Sequence, residues 1–276
     1  MISIRMLRDV WSFRGMVWSS VKREFQSRWT GTQFGPFWLV AQPLATILIF
    51  TVIFSNIMRP GIPAHDSKFA YSIYLCSGVL TYGLFSEMLS RSVNIFVENA
   101  NLLKKISFPK LCLPIIVLVS CLLNFAIIMF LFLLFLLMVS SFPGLIILST
   151  LPVLVIQLLF TIGLGMLLAT VNVFYRDIQQ LVQVVLQFWF WLTPIVYVSS
   201  TLPDTAQTIL RVNPLWPLIH AYQGIFLEHR LPDWIDLIYP LLLALFFVFW
   251  GIFSFYKLQG EIVDELYTDD ATDIVS

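Results

Sequence analysis

Charge is scarce in this sequence. Asp, Glu, Lys and Arg make up 12% of its 276 residues, about half the share of an ordinary soluble domain. Basic and acidic residues balance at 16 each, so no net field of either sign points to a nucleic-acid partner. Cysteine is scarcer still. Cys76, Cys112 and Cys121 are odd in number and show no CxxC spacing, which argues against a disulfide framework or a zinc site. They read as small, buried apolar residues. No GxxxxGK[ST] is present, so the chain does not cradle ATP phosphates in a P-loop of its own. HExxH and GxSxG are missing too, and no acidic cluster is placed for a metal. His65, His220 and His229 stand far apart in segments that read as external loops. No catalytic constellation is visible. Residues 1–10 lack an apolar core followed by a small-residue cleavage site, so no cleavable signal peptide is expected.

Apolar length is what the chain has. Hydrophobic residues make up 59% of it, and the mean hydropathy is +0.87. A hydrocarbon core of about 30 Å takes roughly 20 apolar residues as a helix. Six stretches qualify: 34–58, 69–96, 113–139, 145–171, 178–198 and 235–256. The expected fold class is therefore an all-α integral membrane protein with six transmembrane helices. Arg5, Arg8, Arg14, Lys22, Arg23 and Arg28 precede the first span. Arg91, Lys104, Lys105 and Lys110 cluster at the second-to-third connection, Arg176 precedes the fifth span and Lys257 follows the sixth. The opposite side has only Arg59, Lys68, Arg211 and Arg230. By the positive-inside rule both termini are cytoplasmic, which an even number of spans requires. The organisation is then a cytoplasmic N-terminus over 1–33, a membrane domain over 34–257 and an acidic cytoplasmic tail over 258–276. Flexible ends are expected over 268–276.

Two segments outside the spans are too apolar to be simple loops. Over 11–29, Trp11, Val17, Trp18, Val21 and Phe25 recur at helical spacing, while Arg14, Lys22, Arg23 and Glu24 fall largely elsewhere. This pattern predicts an amphipathic helix lying in the membrane interface, with tryptophans at headgroup level. A soluble helix packed on a partner has the same pattern. Over 199–234, residues 205–212 and 215–226 each read as a short helix, broken at Asn213-Pro214. Neither is long enough to span, so re-entrant or interfacial helices are expected at the outer mouth of a pathway.

Polar groups inside spans are expensive and tend to face protein or water. Glu87 and Arg91 lie at i and i+4, an arrangement that favours an ion pair on one helix face. They either line a pathway or fix helix packing. Arg176, Gln180, Gln183 and Gln187 follow spacings of four, three and four, so they share one face of the fifth span. That row forms a channel wall that exchanges hydrogen bonds with sugar hydroxyls, or it bonds helices together between subunits. Thr193-Pro194 predicts a kink near the outer end of the same helix. Gly163, Gly165 and Ala169 offer a small face for close helix packing. The aromatic share of 16% is first explained by interface anchoring and lipid contact.

Several of these segments together resemble a family. Arg28-Trp29-Thr30-Gly31-Thr32-Gln33-Phe34-Gly35-Pro36-Phe37-Trp38 followed by Gln42-Pro43 resembles the start of type-2 ABC polysaccharide permeases. The stretch 98–110 resembles the connection that docks on the ATPase in that family, and Asn172-Val173-Phe174-Tyr175-Arg176-Asp177-Ile178 is similar to its other cytoplasmic signature. Asn213-Pro214 matches the external one. The resemblance implies a homodimer in the bacterial inner membrane, working with two separate ATPase subunits that bind the ATP and magnesium. This chain would bind no cofactor. The substrate implied is a lipid-linked polysaccharide, undecaprenyl-diphosphate-linked O-antigen before capsule or teichoic acid. It places ATPase coupling at Glu98, Asn101, Leu103, Lys104, Lys105, Phe108 and Pro109 within 97–112, and the periplasmic gate at Asn213, Pro214 and Trp216 within 199–234. A membrane-embedded enzyme of glycan assembly is the reading from a different class. An ion-coupled transporter would show inverted repeats and paired broken helices, and neither is found.

Overall fold

The computed structural model describes residues 13–27, 34–35, 37–53, 69–103, 112–199 and 203–273. Among them all regular structure is helical. The first described helix, α1 (Arg14–Ser27), places Val17 and Val21 against Cys112, Ile115 and Ile116 at the start of α5 (Cys112–Met138). Arg14, Trp18 and Lys22 stay exposed, and Phe25 is half-buried beside the apolar face. The spacing of apolar residues thus chooses the buried face, and its seat lies within the same chain. Trp11 lies outside the described residues.

Helix α2 (Phe37–Val52) contains Pro43 and buries Ile47, while Leu44, Leu48 and Ile49 face outward. The centre of the molecule is α3 (Ala70–Glu98), buried along most of its length. Two of its buried small polar residues satisfy their hydroxyls on their own helix. Ser77 Oγ donates to Tyr74 O at 2.8 Å and Thr81 Oγ1 to Ser77 O at 2.7 Å. After one turn of α4 (Ala100–Leu103) the chain enters α5, a nearly uninterrupted run of Leu, Ile, Phe and Val. A 3₁₀ segment, Gly144–Ser149, leads into α6 (Thr150–Phe174). Next come α7 (Ile178–Leu192), the short helices α8 (Asp204–Val212) and α9 (Leu215–Gln223), a π turn over Gly224–Glu228, and α10 (Ile238–Asp273).

Helices α6 and α10 approach at the level of their backbones. A Cβ added at Gly163 would meet Val248 N at 2.4 Å, and one added at Gly251 would meet Gly163 O at 2.7 Å. Across the other side of α6, a Cβ at Gly165 would meet Ser92 Cβ of α3 at 2.5 Å. The small face expected on this helix therefore serves two neighbours, and Ala169 is fully buried on it.

Among the described residues, three helices are long and apolar enough to cross a membrane: Cys112–Met138, Gly144–Phe174 and Ile238–Ile262. The other expected spans differ for identifiable reasons. Within the described residues Val40–Val52 and Ile178–Leu192 are apolar but shorter, and residues 54–58 of the first expected span lie outside the described residues. Helix α3 has the length, with 29 residues, but its serines, Thr81, Glu87 and Arg91 make it a bundle-centre helix. The fifth helix does not kink at Thr193-Pro194; it stops at Leu192. Thr193 is extended, with φ −99° and ψ 132°, as a residue before proline prefers. The sixth continues for 36 residues to Asp273, so the end expected to be flexible is helical up to that point.

Candidate functional site

A groove of about 680 Å³ runs between α3 and α7. Tyr82, Ser86, Glu87 and Ser90 line it from α3, and Gln183, Leu186, Gln187, Phe190 and Trp191 from α7. One carboxylate, two amides and three aromatic rings thus share one open space. The helical row on α7 is split by it. Gln183 and Gln187 are in the wall, while Arg176 and Gln180 are exposed outside its lining. Tyr82 fixes the register of the two helices, because its buried hydroxyl donates to Leu186 O.

A second cavity of about 330 Å³ lies on the other side of α3, against α2 and α5. Trp38, Gln42, Thr46, Gly83 and Asn124 are among its lining residues, and so is Glu87. Glu87 therefore borders both spaces. Its Oε2 accepts from Asn124 Nδ2 at 2.8 Å, and its Oε1 lies 3.7 Å from Arg91 Nη1. Arg91 also pairs with Glu24 of α1, whose Oε2 accepts from the buried Ser120 hydroxyl at 2.8 Å. The sequence placed Glu87 beside Arg91 on one face; the third partner, 67 residues away in sequence, carries no local signal.

Both ends of α7 are tied down by asparagines. At its start, Asn172 is buried and accepts from Gln179 N at 3.1 Å, while its amide donates to Val93 O of α3 at 3.1 Å. At its end, Asn213 accepts from Trp189 Nε1 at 2.8 Å and from Leu215 N at 3.0 Å. Its amide donates to Thr193 Oγ1 at 2.9 Å. Asn213 thus closes the turn into α9 as a side-chain mimic of backbone and joins that turn to α7. Pro214 follows it at the start of α9, where a missing N–H costs nothing. Trp216 stacks on His220 with ring centroids 5.7 Å apart.

Tyr71 and Tyr74 of α3 were not singled out by sequence, and they hold the segment after α7. Tyr71 donates to Val196 O, and Tyr74 donates to Tyr197 O at 2.9 Å. Gln223 of α9 reaches Pro194 O at 3.3 Å. Nearby, Arg230 donates to His220 Nε2 at 2.9 Å and pairs with Glu228 and Asp233. Burial, and then the Arg230 guanidinium, hold the His220 pKa below its ordinary value, against the opposing pull of Glu228, Asp233 and Asp236.

Of the residues expected to couple to an ATPase, Glu98 closes α3 and is exposed, and Leu103 is buried against the core containing Phe96 and Val173. Asn101 belongs to α4 by its backbone. Lys104, Lys105, Phe108 and Pro109 lie outside the described residues. Among the described residues no cluster of His, Cys, Asp and Glu is arranged to hold a metal ion.

Comparison with known proteins adds a family. The model for ABC-2 type transporters matches residues 16–227. The O-antigen export system permease protein RfbA of Myxococcus xanthus is 33% identical over 232 residues, covering 83% of this chain and 87% of that protein. A protein of the same description from Klebsiella pneumoniae is 28% identical over 219 residues, covering 79% of this chain and 82% of its own. The polysialic acid transport protein KpsM of Escherichia coli is 21% identical over 249 residues, covering 87% and 91%.

Proposed function

We infer that this chain, which belongs to the ABC-2 type transporter family, is the membrane permease of an ATP-driven exporter of lipid-linked polysaccharide. The cargo is O-antigen on an undecaprenyl-diphosphate carrier, carried across the bacterial inner membrane. Two copies of the chain form the passage, and two separate ATPase subunits hydrolyse the ATP. Helices α2, α3 and α7 complete six spans with the three longer apolar ones, and both termini are cytoplasmic. A bundle this thin makes a wide passage more readily between two copies than within one.

The observation that carries the reading is the groove between α3 and α7. Sugar hydroxyls need partners that both donate and accept, and the side-chain amides of Gln183 and Gln187 do both within one wall. Tyr82, Phe190 and Trp191 add apolar faces on which the sugar ring's C–H edges can rest. No fixed positive charge is among the groove's lining residues, so a chain held here slides from one amide to the next. The turn at Asn213-Pro214 and the ring of Trp216 form the outer gate. Glu98 to Pro109 is the docking surface for the ATPase, with Lys104, Lys105 and Phe108 as its contacts.

The test uses a strain deleted for this chain. Deletion traps long glycan on the cytoplasmic leaflet, and the wild-type gene restores it to the surface. A Gln183→Leu/Gln187→Leu double variant restores about tenfold less, the loss of two hydrogen-bonding groups, with membrane insertion unchanged. Normal surface glycan in the deletion strain would refute export of this cargo. Full restoration by the double variant would remove the groove from the path. The similarity to KpsM supports capsule polysaccharide as the second reading, and the glycan trapped by the deletion decides between them.

A further inference from the structure

We propose that Arg91 is a positioning residue shared between two carboxylates, and that its exchange between them links the seating of α1 to the wall of both cavities. Three elements meet at this side chain. Glu24 on α1 pairs with it closely, and Glu87, one turn before it on α3, stands at 3.7 Å. The two carboxylates are each held by α5, Glu24 by the Ser120 hydroxyl and Glu87 by the Asn124 amide, both at 2.8 Å. Arg91 Nη1 also lies 3.5 Å from Cys121 Sγ, so the guanidinium is enclosed by all three helices. About a quarter of each of the three charged side chains is exposed, which leaves the pairs partly desolvated rather than fully screened.

The two pairs are unequal. The contact to Glu24 is a direct charge-assisted hydrogen bond, whereas 3.7 Å to Glu87 is longer than the roughly 2.7–2.9 Å of one. Of the two carboxylates, Arg91 therefore hydrogen-bonds the one on α1 and holds Glu87 at a distance. If α1 lifts, the guanidinium need travel only about an ångström to close on Glu87, so the loss of one pair is offset by tightening of the other. That is a two-state element of low cost, and both ends bias it. A ligand whose hydroxyls bond to Glu87 competes with Arg91 and leaves it on Glu24, which seats α1. By linkage, lifting α1 draws Arg91 onto Glu87 and weakens the hold on the ligand by the same factor. This second part rests on the export reading, since it takes a polyol in the groove as the ligand. The relay itself does not.

A rigid packing node predicts that weakening any member loosens α1. The relay predicts opposite signs for its two carboxylates. The experiment is hydrogen exchange of the α1 amides in the full-length chain in lipid nanodiscs, with neither ATPase nor glycan present. Glu24→Gln speeds α1 exchange by about threefold, the scale of a partly exposed ion pair. Glu87→Gln, which keeps an oxygen for Asn124, slows it by about twofold, because Arg91 then no longer has the Glu87 carboxylate competing with Glu24. Exchange that is unchanged or faster in Glu87→Gln overturns the relay. If Glu24→Gln melts well below the wild type, the Glu87→Gln arm decides alone. Because the readout involves no transport, its failure leaves the export reading standing. Failure of the glycan test removes only the identity of the ligand.

Discussion

The seam between α6 and α10 and the groove between α3 and α7 are built on opposite rules. At the seam, Gly163 and Gly251 bring two backbones together and nothing polar from a side chain intervenes. Along the groove, amides, hydroxyls, a carboxylate and aromatic rings stand around open space, and one phenol keeps the helices in register. Association by backbone approach gains its energy from dispersion over many close contacts, so it tolerates no added atom. Association across a wet gap depends on a few hydrogen bonds and tolerates substitution of everything else. One pair of helices is thus suited to staying together, and the other to changing its separation.

The sharpest way to break this comparison is to add one carbon at the seam and one on α3 at the roomy second cavity. Gly163→Ala drives a Cβ to within 2.4 Å of Val248 N and 2.6 Å of the Phe247 carbonyl carbon, where only backbone movement gives relief. We expect a loss of about 3 kcal/mol, at the upper end of ordinary overpacking, seen as a lower melting temperature of the purified chain. Gly83→Ala, where an added Cβ meets nothing within 4 Å, is the matched control. There the gain in helix propensity is about 1 kcal/mol. Equal melting temperatures for the two would mean that the seam is softer than its geometry.

Next in size is Asn213→Ala, which leaves the Trp189 indole N–H and the Leu215 N–H without their acceptor and Thr193 Oγ1 without a donor. Orphaning such groups costs about 2 kcal/mol. Indole fluorescence of the melt should show the end of α7 loosening first, and simultaneous unfolding of the whole chain would place Asn213 in the common core instead. The smallest effect is that of pH. His220 accepts a hydrogen bond from Arg230 and has its pKa held below its ordinary value of 6.5. Its contribution is complete above about pH 6.5 and is lost as the pH falls towards the lower folded value, because the unfolded chain takes up the proton first. His220→Gln should flatten stability in that window, and a slope unchanged by the substitution would assign it to another group.

Much of this architecture was legible locally. The break at Asn213-Pro214, the short helices on either side of it and the apolar face of α1 follow from residues within a few turns of one another. So did the small face on α6, although the sequence did not say that Gly251 would meet it, since glycine in an apolar run carries no record of its partner. The polar row on α7 shows the same limit. Periodicity put four residues on one face, but only Gln183 and Gln187 are among the residues that line the groove. Glu24 fell off the apolar face of α1 with no partner in view because that partner is on another helix, and interface anchoring stood as the default for the α3 tyrosines because a phenol's acceptor is a backbone carbonyl, which every residue offers. The helix ends were misjudged at Leu192 and at Asp273. In the first case Pro194 had the choice of kink or stop and tertiary clips favoured the stop. In the second, the expectation rested on closeness to the chain end, whereas α10 runs on without a break to Asp273.

The two phenols on α3 have a consequence for how long the segment after α7 stays in place. Tyr71 and Tyr74 are three residues apart, with rings stacked at 6.1 Å, and each grips a carbonyl of the same short stretch. When one lets go, the other keeps its acceptor within a few ångströms, at an effective concentration that makes rebinding the usual outcome. Release requires both to be open together, so the dwell time rises as a product rather than a sum. A segment held in this way stays in place through thermal noise, and a small rotation of α3, which withdraws both rings at once, would free it.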